Sequence, residues 1–253
     1  MTPAIELQDV HKSFGQTQII RGVSLAIEAG TRQALIGPNG AGKSTLFNLI
    51  TGKYRVSGGR IRLGGEDITD LHPYEVNRRG LSRSFQVTNI FPRLSVYENI
   101  RSSVLWSLGY RYSFWHFVEG LRDVGERTET VLEQINLTAR RHVPAGVLSY
   151  AEQRALEIGI TIAAGADVIL LDEPTSGMSR SETEQVVQLI RQVTAGKTLL
   201  MVEHDMSVVF DLADRIAVLV YGEIVAHDTP ERIRGNAAVQ EAYLGTPQGA
   251  APC

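Results

Sequence analysis

A glycine-rich run near the beginning of the chain has the composition of a phosphate-binding loop. The pattern G-x-x-x-x-G-K-S/T is matched by the consecutive residues Gly37-Pro38-Asn39-Gly40-Ala41-Gly42-Lys43-Ser44. Glycines let backbone N–H groups turn toward phosphate oxygens, and a helix that follows the loop presents its positive N-terminus to the anion. We expect Lys43 to reach the β- and γ-phosphates and Ser44 to ligate Mg²⁺.

A pair of acids forms the second candidate site. The apolar segment Val168-Ile169-Leu170-Leu171 is followed directly by Asp172 and Glu173. Taken alone, this pattern is typical of a buried strand that is followed by polar residues. Together with a phosphate loop, it predicts that Asp172 helps to hold the Mg²⁺ shell through water. Glu173 would then face the attacking water as a general base. The two motifs together predict hydrolysis of a nucleoside triphosphate.

Strands and helices alternate along the parts of the chain that carry these residues. Residues 5–27 alternate between apolar and polar types as strands do, and a short apolar strand over 33–36 leads into the glycine-rich run. A helix is predicted from Lys43 to Thr51, followed by a strand over 60–63. After Ser149, predicted helices over 151–164, 181–193 and 206–213 each lead to a strand, over 168–172, 198–202 and 216–220. This alternation predicts an α/β fold with a largely parallel sheet and helices on its faces.

The middle of the chain has a different pattern. Residues 95–135 lack a convincing strand pattern, and we predict a mostly helical subdomain over 87–147. Aromatic residues crowd into one short stretch of it, at Tyr110, Tyr112, Phe114, Trp115 and Phe117. We predict a local core for them, and a partner-binding surface is the alternative. The Pro/Gly/Ala-rich segment 246–253 is expected to be disordered.

Composition disfavours several other classes of protein. The chain has 253 residues, 43% hydrophobic and 21% charged, as folded soluble proteins of one or two domains have. Its 25 basic and 28 acidic residues give a net charge of −3, which disfavours a nucleic-acid-binding protein. Cys253 is the sole cysteine, so neither an intrachain disulfide nor a cysteine-based zinc site can form. The first residues predict no secretory signal, and no apolar run reaches the roughly 18 residues of a membrane span.

Six segments in a fixed order give the chain a resemblance to the nucleotide-binding subunits of ABC transporters. These are the Walker A motif at 37–45, the Q-loop at 84–86, the signature motif at 148–154, the Walker B motif at 170–175, the D-loop at 176–179 and the H-loop at 202–205. Within that family, the segments EQRALEIG, SGMS and EAYLG are most similar to the ATPases of branched-chain amino-acid importers and of their urea, amide and aromatic-acid relatives. The resemblance implies a P-loop NTPase core, residues 1–86 and 148–245, with a mostly parallel sheet, an N-terminal antiparallel β subdomain and the helical subdomain 87–147.

The resemblance also implies roles for single residues. Thr45 completes the Walker A motif. Phe14 matches the aromatic residue that stacks on adenine, although taken alone it would be a core residue. Gln86 would complete the Mg²⁺ shell and link the site to the helical subdomain. His204 would contact the γ-phosphate.

The signature motif departs from the family pattern, which is usually written LSGGQ. Ser149 is retained and is expected to close, with the nearby backbone of Ala151 and Glu152, over ATP held by a partner subunit. Tyr150 replaces the first glycine, Ala151 the second, and Glu152 stands where glutamine is commonest. The methyl group of Ala151 would crowd the phosphate or oppose a positive φ, so we expect a weakened composite site.

The resulting functional hypothesis is the ATP-binding and ATP-hydrolysing subunit of an importer. Such a subunit would bind ATP and Mg²⁺ and pair with a second ABC ATPase, a paralogue rather than a copy of itself. It would drive transmembrane permease subunits that receive solute from an extracytoplasmic binding protein. It would sit peripherally on the cytoplasmic face of the inner membrane and bind no nucleic acid. The alternatives are the ATPase of a lipid exporter on the same scaffold, or a soluble ABC protein acting on DNA or in translation. A P-loop kinase or GTPase lacks support, because no Asn-Lys-x-Asp motif appears.

Overall fold

A computed structural model describes residues 2–84, 90–110, 121–236 and 239 of the chain. These residues fall into two compact units. The first unit holds the described residues up to Arg79 and from Lys197 onward, and the second unit holds those within Gly80–Gly196. Over the described residues, no helix has both the length and the apolar composition that crossing a bilayer requires.

The first unit combines an antiparallel sheet with a group of mostly parallel strands. Its strands are β1 (Ile5–Phe14), β2 (Thr17–Ile27), β3 (Arg32–Ile36), β4 (Gly58–Leu63), β5 (Glu66–Asp67), β8 (Thr198–Val202), β9 (Arg215–Val220) and β10 (Glu223–Asp228). Its helices are α1 (Lys43–Ile50), α2 (Pro73–Arg78), α7 (Met206–Leu212) and α8 (Pro230–Arg234). The antiparallel sheet has the strand order β2-β1-β4-β5.

An irregularity in β1 decides which of its residues face the core. Leu7 is buried opposite Leu25 of β2. The register shifts between Leu7 and Val10, where Asp9 has a φ of 48°. Strict alternation from Leu7 would turn Val10 toward solvent, but the bulge turns it inward, opposite Val23.

The parallel strands of the first unit are centred on β3. Both β8 and β9 pair with β3 in parallel, and β10 pairs with β9 in antiparallel. Residues 33–36, 198–202 and 216–219 are buried throughout, as expected of strands covered on both faces. Because the three parallel strands run in one direction, the segments that follow Ile36, Val202 and Val220 lie at the same edge.

The second unit contains a parallel strand pair and four longer helices among its described residues. The strands are β6 (Leu81–Arg83) and β7 (Val168–Asp172), and the helices are α3 (Val96–Ser107), α4 (Arg122–Gln134), α5 (Tyr150–Ala163) and α6 (Arg180–Val193). Ser95, Ser149 and Ser179 cap α3, α5 and α6, each paired with the glutamate three residues later in a capping box. The S-x-x-E pattern therefore determines where these helices begin.

The predicted elements agree with this architecture where residues are described. The helices predicted over 151–164, 181–193 and 206–213 correspond to α5, α6 and α7, and the strands that follow them to β7, β8 and β9. Helices α3 and α4 confirm the helical character of the middle of the chain. The sequence pattern missed β5, β6, β10, α2 and α8, which are two to six residues long and offer little periodicity. Most of the aromatic stretch, 111–120, and the segment 246–253 lie outside the described residues.

Candidate functional site

The predicted phosphate loop lies between β3 and α1. A Cβ atom added to Gly37 would collide with the carbonyl oxygen of Leu219 on β9. Gly42 precedes α1 with a φ of 106°, and a Cβ there would lie 2.8 Å from Cδ1 of Ile20. At these two positions the backbone path itself requires glycine.

The N-terminus of α1 differs from those of the capped helices. Within the described residues, no side chain caps α1 and its first turn contains no acid. No acid in the first turn therefore offsets the positive end of the α1 dipole. This arrangement suits phosphate oxygens.

Lys43 brings a positive charge onto the loop. Its Nζ donates hydrogen bonds to the carbonyl oxygens of Gly37, at 2.6 Å, and Pro38, at 3.0 Å. The ammonium group is therefore held against the loop. The other predicted phosphate-site residues range in exposure from exposed (Asn39, Gly40 and Ser44) through half-buried (Thr45) to buried (Ala41).

Two further segments lie at the edge where the loop begins, because β8 and β9 run parallel to β3. Gly222, which follows β9, donates its N–H to the carbonyl oxygen of Ala41 at 3.0 Å. His204 follows β8, and its side chain is 63% exposed. The His204 N–H donates to the carboxylate of the buried Glu203 at 3.1 Å. The topology thus brings the phosphate loop and His204 to one edge of the first unit.

Phe14 presents an aromatic ring at the end of β1. The side chain is 46% exposed, and its ring packs edge-on against Tyr54, with 5.4 Å between the centroids. The Nζ of Lys12 lies 4.9 Å from the centre of the Phe14 ring. Phe14 is therefore a half-exposed ring held by its neighbours rather than a core residue. Sequence reasoning missed Tyr54, which lies 40 positions away along the chain.

In the second unit, Asp172 is paired with an arginine. Its carboxylate lies 2.8 Å from Nη2 of Arg83; the Asp172 side chain is buried and that of Arg83 is nearly so. Arg83 ends β6 and Asp172 ends β7, so the parallel pairing brings the two side chains together. Sequence reasoning missed Arg83, because only the pairing of distant strands makes it a neighbour of Asp172.

Glu173 follows Asp172 in an unusual backbone conformation. Its φ is 46°, a left-handed value that side-chain-bearing residues seldom adopt. Its carbonyl oxygen accepts hydrogen bonds from the N–H of Ser176, at 3.2 Å, and from Nη2 of Arg154, at 2.9 Å. The predicted base is therefore held through its main chain by Arg154, a residue of the signature motif to which the motif alone assigns no role.

The signature residues form the beginning of α5. Ser149 is the N-cap, and its Oγ accepts the N–H of Glu152 at 3.3 Å. Tyr150 and Ala151 are the first residues of the helix, and Ala151 has a helical backbone. The expectation that Ala151 opposes a required positive φ is therefore wrong, because the capping box starts the helix one residue before it. Crowding by the Ala151 methyl group stays a prediction.

Glu152 is a charged residue at this helix end. The backbone N–H of Ser149, at 2.9 Å, is the main cause that holds the pKa of the Glu152 carboxyl below its ordinary value, and the Ser149 hydroxyl and Arg140 act in the same direction. The Nε of Arg140 lies 3.1 Å from the carboxylate. Ser149, Ala151 and Glu152 border an open groove of about 1040 Å³ whose other side is formed by α6. Sequence reasoning missed that Arg140 pairs with Glu152.

The described residues suit a Mg²⁺ ion bound mainly through a nucleotide. Gln86 lies outside the described residues. In the described ranges, no cluster of three or more histidine, cysteine, aspartate or glutamate side chains forms a dedicated metal site. Ser44 and Asp172 offer a hydroxyl and a carboxylate, the oxygen donors that Mg²⁺ prefers. Each of these residues, on its own unit, offers one oxygen donor of the kind that Mg²⁺ adds to its phosphate and water ligands.

Known proteins are similar in sequence to this chain over nearly its whole length. Residues 20–176 match the ABC transporter family, and residues 223–248 match the branched-chain amino acid ATP-binding cassette transporter family. The chain is 36% identical to the high-affinity branched-chain amino acid transport ATP-binding protein BraF of Pseudomonas aeruginosa, over 96% of this chain and 98% of that protein. It is 34% identical to the corresponding protein LivG of Escherichia coli K12, with the same coverage.

Solved structures agree with the sequence matches. A nucleotide-free ATP-binding cassette from an ABC transporter superposes with a TM-score of 0.84 and 28% identity, over 97% of this chain and 100% of that one. The ADP conformation of an ATP-binding cassette superposes with a TM-score of 0.82 and 25% identity, with the same coverage. The fold is therefore the α/β fold of P-loop NTPases. The chain belongs to the ABC transporter family, as an ATP-binding subunit that hydrolyses ATP.

Proposed function

We propose that this ATPase powers the uptake of branched-chain amino acids or of chemically related amides and carboxylates. The observation that carries the proposal is the identity of 36% with BraF across nearly the full length of both chains. The match of residues 223–248 to the branched-chain amino acid cassette family supports it independently of the common ATPase motifs. Residues 1–86 and 148–245 would form the ATPase core and 87–147 the helical subdomain.

In this proposal the first unit binds the nucleotide. Phe14 stacks on adenine with its exposed face, steadied by Tyr54. The loop of residues 37–42 and the uncapped start of α1 bind the phosphates, and Thr45 continues that first turn. Lys43 gives up its hydrogen bonds to the loop carbonyls and donates to the β- and γ-phosphates instead. His204 contacts the γ-phosphate.

The reaction is the transfer of the γ-phosphoryl group to water. Ser44, Asp172 and Gln86 would hold Mg²⁺, which supplies charge neutralisation on the phosphate oxygens when bound. Glu173 accepts a proton from the attacking water. Arg83 keeps the Asp172 carboxylate oriented at the end of β7. Phosphoryl transfer of this kind depends mainly on positioning and electrostatics.

A second ABC ATPase is the proposed partner for catalysis. Ser149 and the α5 N-terminus would face ATP bound by that partner, a paralogue of this chain. If so, the specific activity of the purified chain rises with protein concentration, and adding the paralogue raises it further. A turnover rate per chain that changes neither with the concentration of the chain nor on adding the paralogue would contradict pairing.

Transmembrane permease subunits are the proposed mechanical partners. Phe91 is 60% exposed and Val147 72%, on two segments joined by the hydrogen bond from Gly146 N–H to Pro92 O, at 2.9 Å. The buried Asn99 holds the first segment, accepting the Phe91 N–H at 2.8 Å and donating to the Phe91 carbonyl oxygen at 3.1 Å. Exposed apolar groups held in this way suit a protein contact. Docking there would place the chain peripherally on the cytoplasmic face of the inner membrane, with the solute-binding protein on the opposite side.

Uptake by a reconstituted transporter tests the solute class. The chain, its paralogue and the permease subunits would be placed in proteoliposomes with ATP inside and the binding protein outside. The ATP-dependent entry of labelled leucine, valine and urea would then be compared. Leucine or valine entry that stops in Lys43→Ala supports the proposal. ATP-dependent movement of labelled phospholipid without amino-acid entry would favour the lipid-exporter alternative. ATPase activity stimulated by DNA or ribosomes alone would favour a soluble ABC protein.

A further inference from the structure

Arg154 is a buried arginine in the second turn of α5. It is 4% exposed, and its Nη1 donates to a carboxylate oxygen of Glu157, also buried, at 2.6 Å. Its Nη2 donates at 2.9 Å to the carbonyl oxygen of Glu173. One guanidinium therefore links α5 to the residue that follows β7.

The backbone that Arg154 contacts is one that needs support. Glu173 has a φ of 46°, and the next residue is Pro174. A residue before proline is restricted to extended conformations, so a left-handed backbone there is disfavoured twice. Such a conformation persists only where surrounding contacts hold it. The contacts described at the Glu173 carbonyl are the N–H of Ser176 and the guanidinium of Arg154.

We propose that Arg154 is a positioning residue for Glu173. The carbonyl carbon is bonded to Cα, so holding the carbonyl oxygen holds the direction in which the Glu173 side chain leaves the backbone. Arg154 keeps the carboxylate aimed at the attacking water without touching the nucleotide itself. The inference rests on the proposed role of Glu173 as the general base.

The chemistry of the guanidinium favours this role over a simple buried ion pair. An ion pair with Glu157 needs only one donor direction, and a lysine could supply it. Arginine presents several donors in a rigid planar fork, so Nη1 and Nη2 can serve two acceptors on different elements at once. The geometry uses both directions, toward Glu157 within α5 and toward Glu173 beyond β7.

The variants distinguish the effect of losing the hydrogen bond to Glu173 from the effect of changing the buried charges of Arg154 and Glu157. Arg154→Met alone would take the Arg154 charge away from the buried Glu157 carboxylate. The main variant is therefore the double change Arg154→Met with Glu157→Met, which keeps volume and removes both charges. Arg154→Lys keeps a charge beside Glu157 but loses the fork. The matched control is Thr161→Val, which removes the hydrogen bond from Thr161 Oγ1 to the Glu157 carbonyl oxygen, 2.9 Å long, on the same buried face of α5.

The full chain would be assayed for ATP affinity by calorimetry, for hydrolysis under single-turnover conditions, and for thermal unfolding. We expect the double variant to bind ATP within about twofold of the parent and to hydrolyse it about 10- to 100-fold more slowly, the usual cost of misplacing a reacting group. Arg154→Lys should hydrolyse ATP at a rate between those of the parent and of the double variant. Thr161→Val should lower the unfolding temperature slightly and hydrolyse ATP at the parent rate.

The decisive readout is the same change made in the Glu173→Gln background. If Arg154 acts through Glu173, the double change lowers the residual hydrolysis rate of Glu173→Gln by less than about twofold. The reason is that the effects of two coupled residues on the rate do not add. Equal rate losses in both backgrounds, or a parent-like rate in the double variant, would overturn the inference. If the double variant does not fold, Arg154→Lys gives the same comparison. A parent-like rate in Glu173→Gln itself would instead reject the base assignment of the proposed function.

Discussion

The hydroxyl of Tyr150 donates a hydrogen bond to the carbonyl oxygen of Ser176, with 3.0 Å between the oxygens. Tyr150 is the first residue of α5, where the family pattern has a glycine, and Ser176 begins the segment assigned to the D-loop. A glycine could not make this contact. The substitution in the signature motif therefore ties the beginning of α5 to the segment that follows Glu173.

Tyr150→Phe should loosen residues 175–178 without unfolding the protein. The hydrogen bond is partly exposed and joins neutral groups, so its loss should cost about 0.5–1 kcal/mol. Amide hydrogen exchange at 175–178 should become about two- to fivefold faster. Tyr110→Phe is the matched control, because it removes a comparable hydroxyl bond, to Asp123 at 2.9 Å, elsewhere in the second unit. Equal exchange in the parent and both variants would show that the Tyr150 bond does not restrain the segment.

Lys43→Ala should weaken ATP binding strongly while the fold survives. The half-buried ammonium donates hydrogen bonds to two loop carbonyls, so its loss removes the proposed phosphate contact and little apolar packing. Hydrogen bonds to charged groups contribute about 1.5–3 kcal/mol each, and calorimetry should show an affinity loss of at least about tenfold. Lys197→Ala is the control, since Gly196-Lys197-Thr198 repeats the end of the loop pattern but leads into β8. Unchanged affinity in Lys43→Ala would reject the phosphate-site assignment.

Glu173→Gln should separate nucleotide binding from hydrolysis. Glutamine has nearly the same shape but cannot accept a proton as a carboxylate does, so turnover should fall by about 10²–10⁴-fold. ATP should still bind through Lys43 and the loop, and the ATP-bound dimer should accumulate. Size-exclusion chromatography of the variant mixed with the paralogue, ATP and Mg²⁺ should show a larger species than the same mixture with the parent.

The same variant with ADP should elute as the smaller species. If ATP produces no larger species, adding Ala151→Gly tests whether the methyl group in the signature motif prevents closure. Hydrolysis by Glu173→Gln at the parent rate would exclude Glu173 as the base. His204 would then be the candidate for positioning the attacking water.

Glu152→Gln should strengthen ATP-driven pairing. The charged carboxylate lies in the first turn of α5, where it opposes the attraction of the helix N-terminus for a partner's phosphate. Glutamine keeps an acceptor for the Ser149 N–H and removes the charge. We expect dimerisation with ATP to tighten by about two- to fivefold in sedimentation experiments. Glu182→Gln, the same change in the capping box of α6, should leave dimerisation unchanged. Weaker pairing in Glu152→Gln would mean that the charge helps to hold α5 in its active position.

The lowered pKa of Glu152 also predicts how stability depends on pH. A carboxyl group with a lower pKa in the folded state contributes its stability above the ordinary value of 4.5. That contribution is lost as the pH falls through the lowered folded value. The free energy of unfolding of Glu152→Gln, measured with urea, should therefore change less than that of the parent between neutral pH and the acid range. The same pH dependence in both proteins would contradict the assigned pKa shift.

Local patterns were sufficient for much of the site. The glycines at 37 and 42, the acids that end β7 and the S-x-x-E starts of α3, α5 and α6 all depend on residues within a few positions of one another. Backbone conformation and capping are decided over that range, so sequence reasoning located them. The order of six family motifs then connected these segments to one activity, which the comparisons confirmed.

Tertiary structure alone decided which side chains support those motifs. Arg83 reaches Asp172 from 89 positions away, because β6 and β7 pair in parallel. Arg154 reaches the carbonyl of Glu173 from 19 positions away, because the chain turns back past α5 after β7. Each partner is chosen by strand register and helix packing, which involve residues far apart in sequence. The sequence by itself therefore determined the activity class and the candidate reacting groups, whereas the fold determined which side chains hold those candidates in place.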